Sequence, residues 1–262
     1  MAAVSLIEFA KNQRAEPSPG VEVIANPRCQ MTLVPDFPIA GPNNVSWIRC
    51  STEEAGDLID KAKAKFAGRN LPFAWILDPG TTPPDFAARL AEHGFTPDPH
   101  GEEAAVMVLA ESGGLEVPDV PGLEFHDALA DTATFRAADA VAAEAFAGER
   151  PGDDPDVVAM QERRRVNSVA SGNRRLLLAT VHGEPAGAGS LTLFPSRGAT
   201  INGGSVRPKF RGQGVYRALV AARLEIARRE GAPGLVVWGG SMSEPILSRL
   251  GFTTVSWRRF YV

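Results

Sequence analysis

The sequence predicts an α/β protein in which a mixed β-sheet is flanked by helices and the chain forms two halves. Apolar strands alternate with segments of helical periodicity over residues 122–262. A weaker alternation of the same kind runs through residues 45–109. Between them, residues 110–122 are rich in glycine, proline and acidic residues, as a linker would be.

The second half is predicted to be the more complete one. Its strands are expected over 122–126, 175–181, 186–194, 200–206, 235–238 and 253–262. Its helices are expected over 131–146, 157–171, 213–230 and 244–250. Asp131 suits the N-cap position of the first helix, because its carboxylate can accept a hydrogen bond from a free backbone N–H group.

The first half shows fewer elements. Strands are predicted over 45–50, 73–77 and 104–109, and helices over 51–67 and 85–93. Segments 73–95 and 235–252 share a strand, a proline-containing loop, a helix and a final Gly-Phe pair. This pattern indicates either a degenerate repeat or two ordinary helix C-caps. We expect domains over 1–110 and 122–262, with a linker over 111–121.

Composition excludes several classes of protein. The chain has 262 residues, a formal charge of -4 and a pI of about 5.7, so it lacks the basic footprint of nucleic-acid binding. Two cysteines cannot build a disulfide framework in a chain of this length. The N-terminus has no secretory-signal pattern, and no apolar run approaches about 20 residues. We therefore expect a cytoplasmic protein without a membrane partner.

One segment is built to hold an anion. A strand over 200–206 is followed by a glycine-rich loop and the longest helix of the second half. The first turn of a helix has backbone N–H groups without partners, and the helix dipole makes that end positive. Gly212 and Gly214 leave those groups accessible, and Arg211 and Arg217 can add charge-assisted bonds. The pattern favours a diphosphate site, although the glycines could also serve only to turn the chain.

Two better-known phosphate motifs do not fit. No Gly-Lys-Ser/Thr follows four variable residues, as the loop of nucleotide hydrolases requires. The loop also lacks the third glycine of a dinucleotide-binding fingerprint.

At these residues the sequence resembles the GNAT superfamily of acyl-CoA-dependent N-acetyltransferases, whose loop reads Arg/Gln-x-x-Gly-x-Gly/Ala. The corresponding residues here are Arg211, Gly212, Gln213, Gly214, Val215 and Tyr216. Tyr216 replaces the usual small residue, so its side chain should point away from the diphosphate. Val206-Arg207-Pro208 and Leu250-Gly251-Phe252 also resemble the family. The first half resembles a degenerate copy without this loop, as in tandem GNAT proteins, and is expected to bind no CoA.

The resemblance implies a place for the pantetheine arm of CoA. In the family the fourth strand bulges and separates from the fifth, and pantetheine lies in the gap. Gly203 and Gly204 would form this bulge, although glycine can also simply weaken a strand. Ser205, Val206 and Arg207 would then offer main-chain groups to pantetheine. The N–H of Val206 is the candidate oxyanion donor.

Acid and base catalysts are harder to find. Relatives carry a tyrosine four residues before the final Leu-Gly-Phe glycine, where this chain has Leu247. The acidic residues that could face a substrate, or could simply be surface charges, are Glu144, Glu149, Asp153 and Asp154. No metal is expected, because the histidines show no ligand spacing: His93, His100, His126 and His182.

The resemblance therefore implies transfer of an acetyl group from acetyl-CoA to an amine, most simply a small one, by direct attack. The first half is expected to act as a scaffold and as one wall of the acceptor pocket. A catalytically weak or inactive acyl-CoA-binding protein, or an interaction protein, is the alternative. The oligomer is expected to be a monomer or homodimer.

Overall fold

A computed structural model describes residues 2–99, 101–110, 115, 119–145, 148 and 151–262, with the side chains of residues 2–5 left out. Most of the predicted linker therefore lies outside the described residues, as do Phe146, Glu149 and His100. No described helix is both long and apolar enough to cross a membrane.

The elements alternate as an α/β protein requires, which confirms the predicted fold class. The strands are β1 (Glu22–Ala25), β2 (Gln30–Leu33), β3 (Asn44–Ser46), β4 (Ala74–Leu77), β5 (Glu103–Ala110), β6 (Leu123–Asp127), β7 (Arg174–Val181), β8 (Glu184–Phe194), β9 (Gly198–Val206), β10 (Gly234–Gly239) and β11 (Thr253–Tyr261). The helices are α1 (Ala2–Lys11), α2 (Ala55–Ala67), α3 (Phe86–Glu92), α4 (Thr132–Ala145), α5 (Pro155–Ala170), α6 (Val215–Arg229) and α7 (Glu244–Arg249).

The chain divides into two compact units, and neither is continuous in sequence. Unit 1 contains Met1–Ala10, Val108–Val237 and Ser248–Thr253. Unit 2 contains Lys11–Met107, Trp238–Leu247 and Thr254–Val262. The first helix thus belongs to unit 1, and most of the last strand belongs to unit 2. The continuous domains expected over 1–110 and 122–262 divide the chain differently, and their boundaries stay a prediction.

Unit 1 contains strands in the order β10-β9-β8-β7-β6, with β10 parallel to β9 and the others antiparallel. One side of α6 packs on this sheet through Val215 and Leu219, which are both 0% exposed. Ala222 and Ile226, which the sequence also places on this face, are only partly buried.

Unit 2 contains β1, β2, β3 and β4, followed in the sheet by most of β11 and then most of β5. Its core is aromatic around Trp75, which is 0% exposed and lies 5.5 to 5.9 Å, centroid to centroid, from three phenylalanine rings: Phe73, Phe86 and Phe95. The helices α2 and α3 cover this core with Leu58, Phe66 and Leu90.

The predicted resemblance between segments 73–95 and 235–252 extends to details of the backbone. Each segment is a strand, a loop and a short helix. Leu90 and Leu247 are each 0% exposed, and Gly94 and Gly251 have φ of +88° and +89°. The two segments share one local design, although both alternatives for its origin stay open.

The largest differences from prediction lie in the first half. The strand predicted over 45–50 ends at Ser46, because Trp47 has φ of +54° and turns the chain out of the extended conformation. The helix predicted from residue 51 begins at Ala55. The elements α1, β1 and β2 were not predicted. Part of β2 carries a buried polar residue, Gln30, whose amide bonds to the main chain of Ala15.

The helices α4 and α5 begin close to where the sequence predicts. Asp131 caps α4, since its carboxylate accepts hydrogen bonds from the N–H and Oγ1 of Thr134 at 2.8 and 2.9 Å. Asp154 caps α5 in the same manner through the N–H of Asp156, at 2.9 Å.

A carboxylate between α4 and α5 makes the stability of unit 1 depend on pH. Glu162 accepts hydrogen bonds from Thr132 and Arg165, and these bonds hold its pKa at about 2. The pKa is lower in the folded state than in the unfolded chain. The contribution to stability is therefore complete above about pH 4.5 and is lost as the pH falls towards 2.

We expect Glu162→Gln to lower the urea midpoint at neutral pH, and we expect this difference to shrink as the pH falls towards 2. The effect should be modest, since 36% of the carboxylate side chain is exposed. Urea unfolding of both proteins across this pH range measures it. A constant difference at every pH would show that the carboxylate charge is not responsible.

Candidate active site

Two parallel strands of unit 1 pair only at their beginning. The pairing of β9 with β10 consists of Ala199 opposite Leu235 and Thr200 opposite Val236. β9 then continues to Val206 along β8 without a further pair to β10. Over residues 201–206 the edge of β9 that would face β10 therefore makes no main-chain pair with β10.

A bulge bends β9 where this separation occurs. The register with β8 shifts between Ala188 opposite Ser205 and Ser190 opposite Asn202. Gly203 and Gly204 thus oppose the single residue Gly189, which defines a β-bulge. Gly203 has φ of +57°, a conformation that glycine adopts without strain. The bulge predicted from the two glycines is present.

A buried arginine lies beneath the bulge, and the sequence analysis missed it. Arg223 of α6 is 1% exposed and donates to the carbonyl oxygens of Ser190 at 3.2 Å and Asn202 at 3.5 Å. A Cβ atom on Gly189 would lie 2.8 Å from its Nη1, and one on Gly204 would lie 3.2 Å from its Nη2. The two glycines therefore leave room for the guanidinium group of Arg223, and Gly204 also leaves room for the ring of Tyr216.

The guanidinium group of Arg223 remains charged although it is desolvated. Burial lowers its pKa to about 10, and its Nη2 has no hydrogen-bond partner among the described residues. Arg223 follows Val215 and Leu219 at intervals of four residues, so it lies on the apolar side of α6. A charged residue at that spacing is the signal that could have revealed it.

The main chain of Val206 faces the open edge of β9. The N–H of Arg207 donates to the carbonyl oxygen of Ala186 at 2.9 Å, and the register places Val206 opposite Gly187. Hydrogen-bonded and non-hydrogen-bonded pairs alternate in antiparallel sheets, so the N–H of Val206 points away from β8. By the same alternation, the N–H groups of Ser205 and Arg207 point towards β8. Of these three predicted residues, only Val206 presents its N–H at the open edge.

The turn before α6 and the first residues of α6 together present a run of free N–H donors, which we call the 212–217 turn. No described group accepts a hydrogen bond from the backbone N–H groups of residues 212–217, and the first bonded donor is that of Ala218. Gly212 and Gly214 have φ of +76° and +91°, and a Cβ on Gly212 would meet nothing within 4 Å. These donors therefore lie at the positive end of a helix dipole, with Gly212 and Gln213 exposed.

The side chains around the turn behave differently from one another. Arg211 donates through Nε to the carbonyl oxygen of Val206 at 3.2 Å and through Nη2 to that of Ala145 at 2.8 Å. Gln213 bonds to the carbonyl oxygen of Lys209 at 2.9 Å. Arg217 is exposed and bonds to no described residue. Arg211 therefore shapes the turn, whereas Arg217 is available to a ligand.

The three candidate carboxylates that lie within the described residues are already engaged. Glu144 pairs with Arg207 at 2.8 Å, and Arg207 also pairs with Glu184 at 3.0 Å. Asp153 pairs with Arg136, and Asp154 caps α5. These contacts favour the interpretation of the predicted acidic residues as structural and surface charges.

Other reactive groups are poorly placed for chemistry. Leu247, at the position of the acid in relatives, is 0% exposed. Cys29 is buried, and burial, the largest cause, raises its pKa to about 11, so its thiol is protonated at neutral pH. No cluster of three or more His, Cys, Asp or Glu residues in the described part of the chain could hold a metal ion.

The start of α2 in unit 2 does not reproduce the donor surface of α6. The carboxylate of Glu54 accepts from the N–H of Ser51 at 3.0 Å, and Ser51 Oγ accepts from the N–H of Glu54 at 3.4 Å. These bonds use the N–H groups of Ser51 and Glu54, directly before α2, and place a carboxylate at the helix start. The main chain before α2 is also paired with the loop that contains Thr82. The N–H of Cys50 donates to the carbonyl oxygen of Thr82 at 3.3 Å, and the N–H of Thr82 donates to that of Ile48 at 3.1 Å.

Comparisons with known proteins agree with this geometry. Residues 140–245 match the family model described as "Acetyltransferase (GNAT) family". No curated protein is significantly similar to the chain. Three solved structures share its fold over almost its whole length. A GCN5-related N-acetyltransferase from Kribbella flavida has 16% identity and a TM-score of 0.66, with 99% of this chain and 94% of that chain covered.

The other two structures extend the same comparison. A functionally unknown conserved protein from Staphylococcus epidermidis ATCC 12228 has 14% identity and a TM-score of 0.70, with 98% of each chain covered. A tandem GNAT protein from the clavulanic acid biosynthesis pathway has 16% identity and a TM-score of 0.60, with 98% of this chain and 86% of that chain covered. At these identities the likeness establishes the fold alone.

Fold and site together define an α/β protein in which a helix start with free N–H donors follows a strand that separates from its parallel neighbour. The segment 140–245, which contains all of these features, matches the GNAT family model. The family resemblance predicted from the sequence is therefore confirmed, and the whole-chain likeness to a tandem GNAT protein is consistent with the two-half arrangement.

Proposed function

We propose that the chain transfers an acetyl group from acetyl-CoA to the nitrogen of a small amine. The observation that carries this proposal is the run of unpartnered N–H groups over 212–217, directly after a strand that has separated from its parallel neighbour. A diphosphate supplies acceptor oxygens for such donors. The open edge of β9 supplies a place for an extended arm with amide groups.

Each predicted cofactor-binding residue has a role in this proposal. The N–H groups of the 212–217 turn bind the diphosphate, and Arg217 adds a charge-assisted hydrogen bond. Arg211 holds the turn through Val206 and Ala145. Val215 anchors α6 in the core. Ser205 and Arg207 fix β9 to β8, and the N–H of Val206 stabilises the developing oxyanion of the thioester carbonyl.

The amine must lose a proton before or during its attack. Alkyl amines have a pKa near 10.4 and are protonated at neutral pH. Because Glu144 and Asp153 are paired with arginines and Asp154 caps a helix, we propose that water molecules carry this proton to solvent. Direct attack then forms the amide and releases CoA.

A catalytically weak or inactive acyl-CoA-binding protein is the second candidate. It is favoured by the buried apolar Leu247 at the position of the acid in relatives. Both candidates require the same diphosphate site, so binding alone does not separate them.

Two measurements on the purified chain test the proposal. Acetyl-CoA at a hundred times its dissociation constant should stabilise the fold by about 2.7 kcal/mol if it binds only the native state. Release of free thiol across a panel of small amines should then identify an acceptor. Protection without release of thiol would support the binding protein, and absence of protection would reject both candidates.

A further inference from the structure

Two arginines of unit 2 lie over one indole ring. The guanidinium carbons of Arg14 and Arg49 are 4.1 and 4.3 Å from the ring centroid of Trp47. A cation–π contact is an attraction to the ring face, so it leaves the N–H donors of a guanidinium group available to an acceptor. Trp47 has φ of +54°, a rare conformation for a bulky residue that is found preferentially at functional sites.

A third arginine of unit 2 closes a ring of contacts with these two. β11 pairs antiparallel with β4, and the register, continued by one residue, places Arg258 across from Asp78. The carboxylate of Asp78 pairs with Arg49 at 2.9 Å. Nη2 of Arg258 donates to the carbonyl oxygen of Lys11 at 2.7 Å, and Lys11 lies three residues before Arg14. The three arginines therefore lie in one local region of unit 2.

This arginine cluster carries more positive charge than the fold neutralises. Among the described residues, Asp78 is the only carboxylate in an ion pair with any of the three arginines. Arg258 is 4% exposed and bonds only to neutral groups, which are the carbonyl oxygens of Lys11 and Trp257 and the hydroxyl of Ser256. Three guanidinium groups beside one carboxylate leave two positive charges without an ion pair.

The two ends of the cluster differ in their access to solvent. At the inner end, burial is the largest cause that lowers the pKa of Arg258, the charge of Asp78 opposes this, and the charge of Arg49 adds to it. A buried charge without a full counter-charge is costly to the fold. At the outer end, Arg14 is exposed, and its contact with Trp47 is its only interaction with a described residue. An anion can therefore reach free donors at Arg14 from solvent.

We propose that the cluster of Arg14, Arg49 and Arg258 binds a doubly charged oxyanion of a small molecule. A phosphate monoester or a dicarboxylate matches the two unpaired positive charges, and its oxygens accept charge-assisted hydrogen bonds from guanidinium groups. Arg14 donates on the solvent side, and the charges of the other two arginines attract the anion. No step of acyl transfer is involved, so this inference is independent of the proposed function.

The fluorescence of Trp47 reports occupation of the cluster, because its ring contacts two of the three arginines. The wild-type chain is titrated at neutral pH with inorganic phosphate and, separately, with succinate, while sodium chloride keeps the ionic strength constant. We expect a saturable change in tryptophan emission with at least one probe and no such change in Trp47→Phe. A response to phosphate alone identifies a phosphate monoester as the ligand class, and a response to succinate alone identifies a dicarboxylate.

Arg14→Gln tests the cluster at an exposed position where the fold should tolerate the change. We expect the affinity for the responding probe to fall by about tenfold, because one charge-assisted hydrogen bond is lost. Arg69→Gln is the matched control, since Arg69 is also an exposed arginine of unit 2 and pairs with Glu22 at 3.1 Å. Glu22 lies on β1, three strands from β4, or about 14 Å, so screening should keep the affinity within about twofold.

Three results would overturn this site. They are the absence of a saturable response in the wild-type chain, equal affinity in Arg14→Gln and the wild type, and an equal loss in Arg14→Gln and Arg69→Gln. An unchanged response in Trp47→Phe would also overturn it, because the probe would then bind elsewhere. The comparison of the two arginine variants remains decisive if Trp47→Phe does not fold, as circular dichroism would show. Release of thiol from acetyl-CoA can succeed or fail without affecting any of these results.

Discussion

Gly212→Glu should remove most of the stabilisation of this chain by acetyl-CoA while the fold is retained. Gly212 is exposed, and a side chain built there meets nothing within 4 Å. The new carboxylate would point its charge at the donors that the diphosphate needs. A hundredfold loss of affinity corresponds to ~2.7 kcal/mol. At an acetyl-CoA concentration a hundred times the wild-type dissociation constant, protection should fall from about 2.7 to about 0.4 kcal/mol.

A matched control separates this effect from backbone strain. Gly172 has φ of +72°, close to the +76° of Gly212, and is also exposed with nothing within 4 Å. Gly172→Glu therefore carries the same cost of a left-handed residue, about 1–2 kcal/mol, and the same added charge. Thermal unfolding with and without acetyl-CoA should show full protection in Gly172→Glu. Equal protection in both variants would mean that the turn does not hold the diphosphate.

Trp75→Ala should be the most destabilising single change in unit 2. The side chain is 0% exposed and contacts a cage of phenylalanine rings, so its removal leaves a cavity that the rigid rings cannot fill. Truncation of a buried tryptophan costs about 3–5 kcal/mol, which is a large share of the stability of an ordinary domain. Urea unfolding followed by circular dichroism measures this loss.

Trp257 provides the comparison within the same unit, since half of its side chain, 50%, is exposed. We expect Trp257→Ala to cost less than about 1 kcal/mol. Similar losses for the two variants would contradict the assignment of the aromatic cluster as the core of unit 2.

The second half was predictable because its signals are local. The glycines and arginines of the 211–217 turn, the preceding strand and the following amphipathic helix lie next to one another in sequence. The bulge at Gly203 and Gly204 could be anticipated for the same reason, because glycine in a strand marks a departure from regular pairing. The sequence could not predict which main-chain groups of β9 face its open edge, because this depends on the register between β9 and β8.

The burial of Arg223 could not be predicted from the local sequence pattern. Arginine in a helix is ordinarily a surface residue. Its burial depends on the space left by Gly189, which lies far away in sequence, and on carbonyl oxygens that the bulge exposes. The buried position of Arg223 can therefore be recognised only from the packing of α6 on the strands.

The first half was less predictable because polar residues interrupt its apolar pattern. Gln30 and Asn43 are buried and satisfied by main-chain partners, so strands and loops that contain them do not look like a core in sequence. The distribution of Met1–Ala10 to unit 1 and of the last strand to unit 2 depends on long-range contacts. No pattern of local periodicity contains that information.

The most direct test of this account is a crystal structure of the chain with acetyl-CoA bound. We predict that diphosphate oxygens accept hydrogen bonds from the N–H groups of the 212–217 turn, and that the pantetheine arm follows the open edge of β9 beside Val206. A complex in which the diphosphate binds elsewhere, with this turn still free, would contradict the central claim.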